Sequence, residues 1–450
     1  MSTTPLHVII IGAGTGGMAL AHGLRRAGVS VAVYERDRTR ADGLYGYRIG
    51  IDPTGARALA EVLPPELFET FIATCARAPR HFNVLTEKFA TTASFELRPD
   101  DHPIDSERSV SRMTLRQVLL TGLEDVVHFD KAFTHYERND DGTVTAFFAD
   151  GTSATGDLLV AADGTSSRVR RQYLPHAVVK DSGVIAVSAK VPVTEETRAL
   201  LPPDVFDGIS LTFAPKGQFC IWHVMEFKWD NKGDLKNGIG GNDADLIEKW
   251  PGLLYDNTRD YINWGFSASA DKYPSNVMDL QGEELMDLVL SMTPGWHPNM
   301  RKLFALSDPG SCFPIAIRTS EPVDPWPTTN VTLLGDAAHT MTPGRGVGGN
   351  TALRDAALLC RELVAARDGG QSLLDAVAAY EKEMIPYGFE KVADSLKQNG
   401  TNGKDAMHRP YVGRVILAFS RMFFRIVDRV PPIKRKFVDD LYAYRSDDKL

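Results

Sequence analysis

Cysteine is scarce: the chain has four, Cys75, Cys220, Cys312 and Cys360, scattered and without a C-x-x-C pair. That spacing argues against a zinc site or any other metal centre and against a disulfide framework, and it suits a reducing cytoplasm. Long apolar runs are missing too. No stretch of about 20 uncharged apolar residues occurs, so no membrane span is expected. The first apolar run covers only about six residues and leads straight into a glycine turn, which does not fit a secretory leader. No long block of Lys or Arg occurs and the net charge is −8, so nucleic acid is not an expected partner.

What is present is organised around Leu6 to Arg36. Leu6–Ile11 is a short β-branched run of the kind buried on both faces of a sheet. Gly12, Gly14 and Gly17 follow in G-x-G-x-x-G spacing at the mouth of a helix running to about Ala27. The first glycine permits a tight turn, the second lets a pyrophosphate approach the backbone, and the third lets helix and strand pack closely. Unpaired helix N–H groups and the positive dipole end would face that phosphate. Val29–Tyr34 reads as a second strand closing on Glu35 and Arg36. Glu35 lies eighteen residues after Gly17, close to the roughly 20 expected of the acid that grips an adenosine ribose. The motif itself leaves FAD and NAD open.

Further along, Gly43–Arg48 is a loop with two tyrosines, Tyr45 and Tyr47, ahead of a helix capped by Asp52 with Pro53 at its first position. Arg48 is either a solvated surface arginine or a group that reaches a phosphate or a flavin. Thr91 to Asp105 alternates like strand. Ser111 opens a helix with one apolar stripe, Leu115, Val118, Leu119 and Leu123. Arg112 in its first turn conflicts with the helix dipole, a conflict that a nearby anionic ligand would resolve. Leu158–Ala162 is a buried strand that delivers Asp163 and Gly164 to its carboxyl end, where ligands of open α/β sheets gather; an ordinary Asp-Gly turn is the plainer alternative.

From Gly183 to about Trp264 the rhythm changes to aromatic, alternating runs of an antiparallel sheet. In Gln218–Glu226, Phe219, Ile221, His223 and Met225 share one face. His223 reads first as a hydrogen-bonded core residue and second as an acid or base on a pocket wall. Asp230 to Asp245 reads as an exposed loop. Val331–Leu334 is another buried strand opening onto GDAAHTMTPGRGVGGN, in which Asp336 can accept from hydroxyls. Pro343, Gly346, Gly348, Gly349 and Asn350 form a loop and helix start whose N–H groups suit a flat anionic ligand such as a reduced flavin. His339 is read as structural, because nothing near it in sequence completes a dyad. The tail from Gly413 is apolar with interspersed arginines. It is read as a helix docking on the nucleotide-binding domain, with a membrane-surface helix as the alternative.

In order and spacing, GAGTGG with Glu35, ADGTSSRVR at 162–170 and LLGDAAHTMTPGRGVGGN at 333–350 resemble the single-component flavin-dependent aromatic hydroxylases, the family whose best-known fold is that of para-hydroxybenzoate hydroxylase. The likeness spans Leu6 to about Pro386 and includes Tyr380-Glu381; Val347 departs from it, standing where many members carry Gln. It implies an α/β fold, a Rossmann-type FAD-binding domain (1–180 and 295–395), an inserted mainly antiparallel substrate domain (181–294, with part of 77–105 on the substrate side) and a helical C-terminal segment (396–450). It implies FAD held by the first and third motifs, with Glu35 at the adenosine ribose, Arg112 near the phosphates or ribityl chain and Asp336 at ribityl oxygens. NAD(P)H would bind transiently. The implied reaction is hydroxylation of an electron-rich ring by O₂ through a flavin C4a-hydroperoxide, with His223, Tyr45 or Tyr47 as bases for a phenol. Epoxidation, Baeyer-Villiger oxygenation, reduction of a prenyl chain and a non-catalytic flavin redox sensor are the alternatives, and either a monomer or a homodimer is compatible.

Overall fold

The computed structural model describes residues 6–40, 48–98, 102–227, 260–397 and 402–445. Tyr45, Tyr47 and the segment 230–245 lie outside them.

The chain first builds the strand, turn, helix and strand that its periodicity predicts: His7–Ile11, the helix Thr15–Arg26 and Ser30–Tyr34. Val8, Ile9 and Ile10 have no exposed surface, as a central strand covered on both faces requires. The sheet is parallel and five-stranded, in the order Val331–Leu333, Leu158–Ala161, His7–Ile11, Ser30–Tyr34, Val127–His128. The carboxyl ends of its three central strands therefore bring together Gly12, Glu35 and Asp163, which lie far apart in the chain. Beside it sits a three-stranded antiparallel meander, Phe133–Arg138, Val144–Phe148 and Ser153–Gly156.

A second, seven-stranded sheet runs Phe313–Ser320, Val179–Pro192, Tyr261–Ser269, Phe219–Met225, Gly208–Phe213, His81–Thr86, Thr91–Glu96. Every pairing is antiparallel except that of His81–Thr86 with Gly208–Phe213. Trp222, Trp264 and Phe266 on one face bury against Phe304, Leu303 and Val289. Both indoles are satisfied, Trp222 Nε1 donating to Thr212 Oγ1 at 3.1 Å and Trp264 Nε1 to Ser307 Oγ at 2.8 Å. The expected limit of this unit at residue 294 falls short of what the sheet contains. The helix Pro298–Ala305 belongs to its core and Phe313–Ser320 is its edge strand, because apolar contact and pairing, neither of them local signals, continue past that point.

The tail docks differently from the expectation. Helix Pro410–Arg429 packs on the second sheet, where Val427, Phe424, Phe437 and Val438 join Val84, Ala93, Phe95 and Phe213. Arg421 donates to the carbonyl of Phe213 and pairs with Glu87. The end of the last helix, Pro431–Arg445, reaches the turn Pro343–Arg345 and the helix Leu373–Leu396, where Arg345 and Lys391 lie over the ring of Tyr444 at 4.6 and 4.5 Å. No helix among the described residues is long and apolar enough to cross a membrane.

His22 on the first helix gives the fold an acid-sensitive point. It is buried and donates Nε2–H to the Leu119 carbonyl at 2.9 Å. Burial, aided by Arg25 and only partly opposed by that hydrogen bond, pushes its pKa down to about 4. The unfolded chain therefore binds a proton that the native state refuses, so stability falls as pH drops from roughly 6.5 towards 4, by on the order of 3 kcal/mol. Denaturant midpoints at pH 7 and 4.5 should differ by less in His22→Gln, which keeps the donor without the titration.

Candidate cofactor and substrate site

At the carboxyl ends of the first sheet lies a cavity of about 570 Å³, within the roughly 300–1,000 Å³ of sites that bury a sizeable ligand. Gly12, Gly14, Glu35, Arg36, Arg112, Asp163 and Gly164 of the sequence-based set all line it. Gly12 has φ +105°, and a Cβ there would lie 2.4 Å from the Ala162 carbonyl oxygen. A Cβ on Gly17 would lie 2.3 Å from the Gly12 carbonyl oxygen, so helix and strand meet only because both positions are glycine.

Glu35 organises the turn as well as facing the cavity. Its Oε2 accepts from Ala13 N at 2.6 Å and its Oε1 from Asp37 N at 3.0 Å. Asp163 Oδ2 accepts from Arg168 N at 2.8 Å, while its buried Oδ1 has no partner among the described residues. Burial pushes this carboxyl pKa up, against the hydrogen bonds from Ser167, Arg168 and Val169. A buried acceptor without a partner, on a residue that lines a cavity, is one that a ligand hydroxyl or a water would satisfy. Arg170 bonds the two later motifs together, donating to the carbonyls of Thr165 at 2.8 Å and Ala337 at 2.9 Å. Asp336 opens outward beside Thr165, whose Oγ1 donates to it at 3.5 Å.

Four cations of the cavity wall were not in the sequence-based set. Arg116, one turn after Arg112, was legible from helical spacing, and Arg168 stands within the second motif; Lys131 and Arg171 had no local signal. Arg116 pairs with Asp37 at 2.8 Å. Together with the first-helix N-terminus they give a positive wall suited to a pyrophosphate.

Pro343, Gly346, Gly348 and Gly349 form the loop and helix start expected of them, Gly348 opening the helix Gly348–Arg367. The Asn350 side chain is committed to protein: Oδ1 accepts from Asp52 N at 3.1 Å and Nδ2 donates to the Gly50 carbonyl at 2.9 Å. It fastens the loop to the strand Arg48–Ile51. His339 does have a partner, which distance along the chain concealed. Its Nε2 lies 2.7 Å from Asp355 Oδ2, with both side chains fully buried, so the pair is structural.

Arg48 is largely covered, with 10% of its side chain exposed. It is not solvated and does not line the phosphate cavity; it pairs with Glu107 at 3.3 Å and donates to Ser109 Oγ at 3.1 Å. Its charge acts instead on His223. That histidine is 1% exposed, and neither ring nitrogen has a hydrogen-bond partner among the described residues. Burial, reinforced by Arg48, holds its pKa well below 6.5. A neutral imidazole of such low basicity is a poor acid and a poor base at neutral pH. Across the sheet it pairs with Asn263, whose Oδ1 is also buried and unsatisfied among the described residues, and Asn263 pairs with Lys190. Lys190 Nζ lies 3.7 Å from Met113 Sδ, and Met113 lines the cofactor cavity. The polar row thus adjoins the nucleotide site.

A Rossmann turn, an anion-binding cavity and an apolar sheet beside it define a dinucleotide-dependent oxidoreductase. Comparisons with known proteins make the class specific. The FAD binding domain model matches residues 311–392, and an NAD(P)-binding Rossmann-like domain model matches 10–41. A solved protein of Photorhabdus luminescens, assigned as an FAD containing monooxygenase, is 33% identical, with a TM-score of 0.74 over 88% of this chain and 98% of its own. The FAD-dependent urate hydroxylase of Klebsiella pneumoniae is 29% identical over 89% of this chain and 91% of its own. The dual O-methyltransferase/FAD-dependent monooxygenase CTB3 of Cercospora beticola is 31% identical over 84% of this chain, which spans only 44% of that protein's length. The chain belongs to the FAD-dependent monooxygenases, and its cofactor is FAD.

Proposed function

We propose that this enzyme hydroxylates a small hydrophobic, aromatic molecule, using NAD(P)H and O₂, with the substrate seated on the sheet face that carries His223 and Asn263. When bound, FAD supplies the redox chemistry, passing electrons from NAD(P)H to O₂ so that one oxygen atom reaches the substrate. The protein's part is to bind, orient and keep water out. The glycine turn, the first-helix N-terminus and Arg112 hold the pyrophosphate; Glu35 and Asp163 Oδ1 take cofactor hydroxyls, and Asp336 takes those of the ribityl chain. The division of labour is a nucleotide-binding domain of residues 1–180 and about 321–395 around a substrate domain that we extend to about residue 320, with 81–96 contributed to it.

The observation that carries the substrate reading is the pair of buried polar groups, His223 and Asn263 Oδ1, unsatisfied among the described residues, on an otherwise apolar face continuing through Ile221 and Phe219. Such a surface fits a flat apolar ring with one polar substituent placed to meet imidazole and amide. His223 then positions the substrate and does not act as its base. Purified yellow enzyme should show NAD(P)H oxidation stimulated by a subset of small aromatic compounds, with products heavier by one oxygen atom in mass spectra. Turnover without O₂ uptake would turn the reading to the reductase. With the best substrate, Asn263→Ala should lower kcat/KM by about 10- to 100-fold, mostly through KM, the loss expected of one buried hydrogen bond. FAD content should not change.

A further inference from the structure

The C-terminal helix Pro410–Arg429 has two apolar faces, and the fold uses one of them. Leu417 and Val427 are buried against the body of the protein. Tyr411, Val412, Val415, Phe419, Met422, Phe423 and Ile426 are between 46 and 82% exposed. At 100° per residue these seven occupy one unbroken arc of about 120°, a stripe as wide as that by which a helix is normally buried. Scattered exposed apolar residues need no explanation, but seven on one stripe do.

Charge says what covers it. Along one edge of the stripe run Arg414, Arg425 and Arg429, all exposed and without an ion pair among the described residues. Residues 410–445 carry eight Lys or Arg against three Asp, in a chain whose net charge is −8. The same helix of a second copy, laid on the stripe, would supply no free carboxylate to those arginines. The helix has one acid, Asp428, already bonded to Lys434 Nζ at 2.8 Å and to Ser94 N at 3.2 Å. An anionic lipid surface meets both requirements, acyl chains for the aromatic stripe and headgroup charge for the arginines beside it.

We propose that the helix Pro410–Arg429 is an interfacial membrane-binding helix that seats the enzyme on anionic bilayers with Phe419, Met422 and Phe423 inserted. The inference is independent of the substrate reading. The test is flotation of the full-length, FAD-loaded protein with vesicles of phosphatidylcholine and phosphatidylserine at 4:1, and with phosphatidylcholine alone. Binding is expected to the mixed vesicles, weakened at least about tenfold by Phe419→Glu with Phe423→Glu and by about the same factor in Arg414→Gln with Arg425→Gln. The arginine change should matter only where phosphatidylserine is present. All four side chains are solvent-facing, and unchanged flavin absorbance confirms that the variants fold. Failure to float with the mixed vesicles would overturn the proposal, as would a wild-type dimer in solution that Phe419→Glu converts to monomer, since the occupant would then be a second copy.

Discussion

Gly14→Asp should yield a folded, colourless protein whose affinity for FAD is at least about a thousandfold lower, equivalent to some 4 kcal/mol. Gly14 has φ −80° and ψ −179°, extended backbone that any residue adopts, and it occupies the N-cap of the first helix with no side chain to cap it. An added Cβ would meet only the Ala162 carbonyl oxygen, at 3.8 Å, an ordinary contact. Aspartate is among the preferred N-cap residues, so the ligand-free fold should hold or gain a few tenths of a kcal/mol. A helix start that would tolerate a cap and does without one keeps its N–H groups open for an external anion. The new carboxylate would stand where the pyrophosphate must lie, and like charge at close range costs several kcal/mol. Flavin absorbance after purification and FAD titration read the outcome; wild-type FAD content would refute this placement of the cofactor. Gly12→Ala makes the contrast: at φ +105° and 2.4 Å from Ala162, its methyl strains the turn itself, and loss of fold accompanies loss of flavin.

What could be read in advance divides along a physical line. The first strand, helix and second strand were expected at Leu6–Ile11, to Ala27 and at Val29–Tyr34, and lie at His7–Ile11, Thr15–Arg26 and Ser30–Tyr34. Glycine spacing and apolar period are local, so local structure follows from them. Glu35 and Asp163 could be placed because a parallel sheet sends its strand ends to one edge, whatever the distance between strands in sequence. Partners in the second sheet are another matter. His81–Thr86 pairs with Gly208–Phe213 across more than a hundred residues, and nothing in either strand announces the other. Arg48 and His223 show the same limit, since each takes its charge environment from groups distant in sequence. In the tail, composition indicated a helix but not that its apolar residues divide between a buried face and an exposed one.

The Asp355 carboxylate, invisible to motif reading, should be among the most costly side chains to remove. It has no exposed surface, and its Oδ2 both accepts from Gly335 N at 3.0 Å and faces His339 Nε2 at 2.7 Å. Gly335 turns at φ +59° immediately before Asp336, so the carboxylate fixes the corner from which Asp336 is presented. Asp355→Ala strands a buried N–H and an imidazole together, a loss of about 3–5 kcal/mol, and weaker FAD retention should accompany it. Asp355→Asn can still accept from Gly335 N and should recover much of the stability. The pair also carries a pH signature. Burial alone would lower the His339 pKa, but Asp355 more than reverses that and leaves it raised above 6.5. The pair's stabilisation is therefore complete below about pH 6.5 and is lost as pH rises through the native value. Denaturation of the wild type from pH 6 to 9 should show that decline, and Asp355→Asn should be flatter over the same range. If Asp355→Ala costs under about 1 kcal/mol, within the range of an ordinary surface change, the corner is held by something else, and Asp336 would have to be placed by the Arg170 bridge to Ala337 alone.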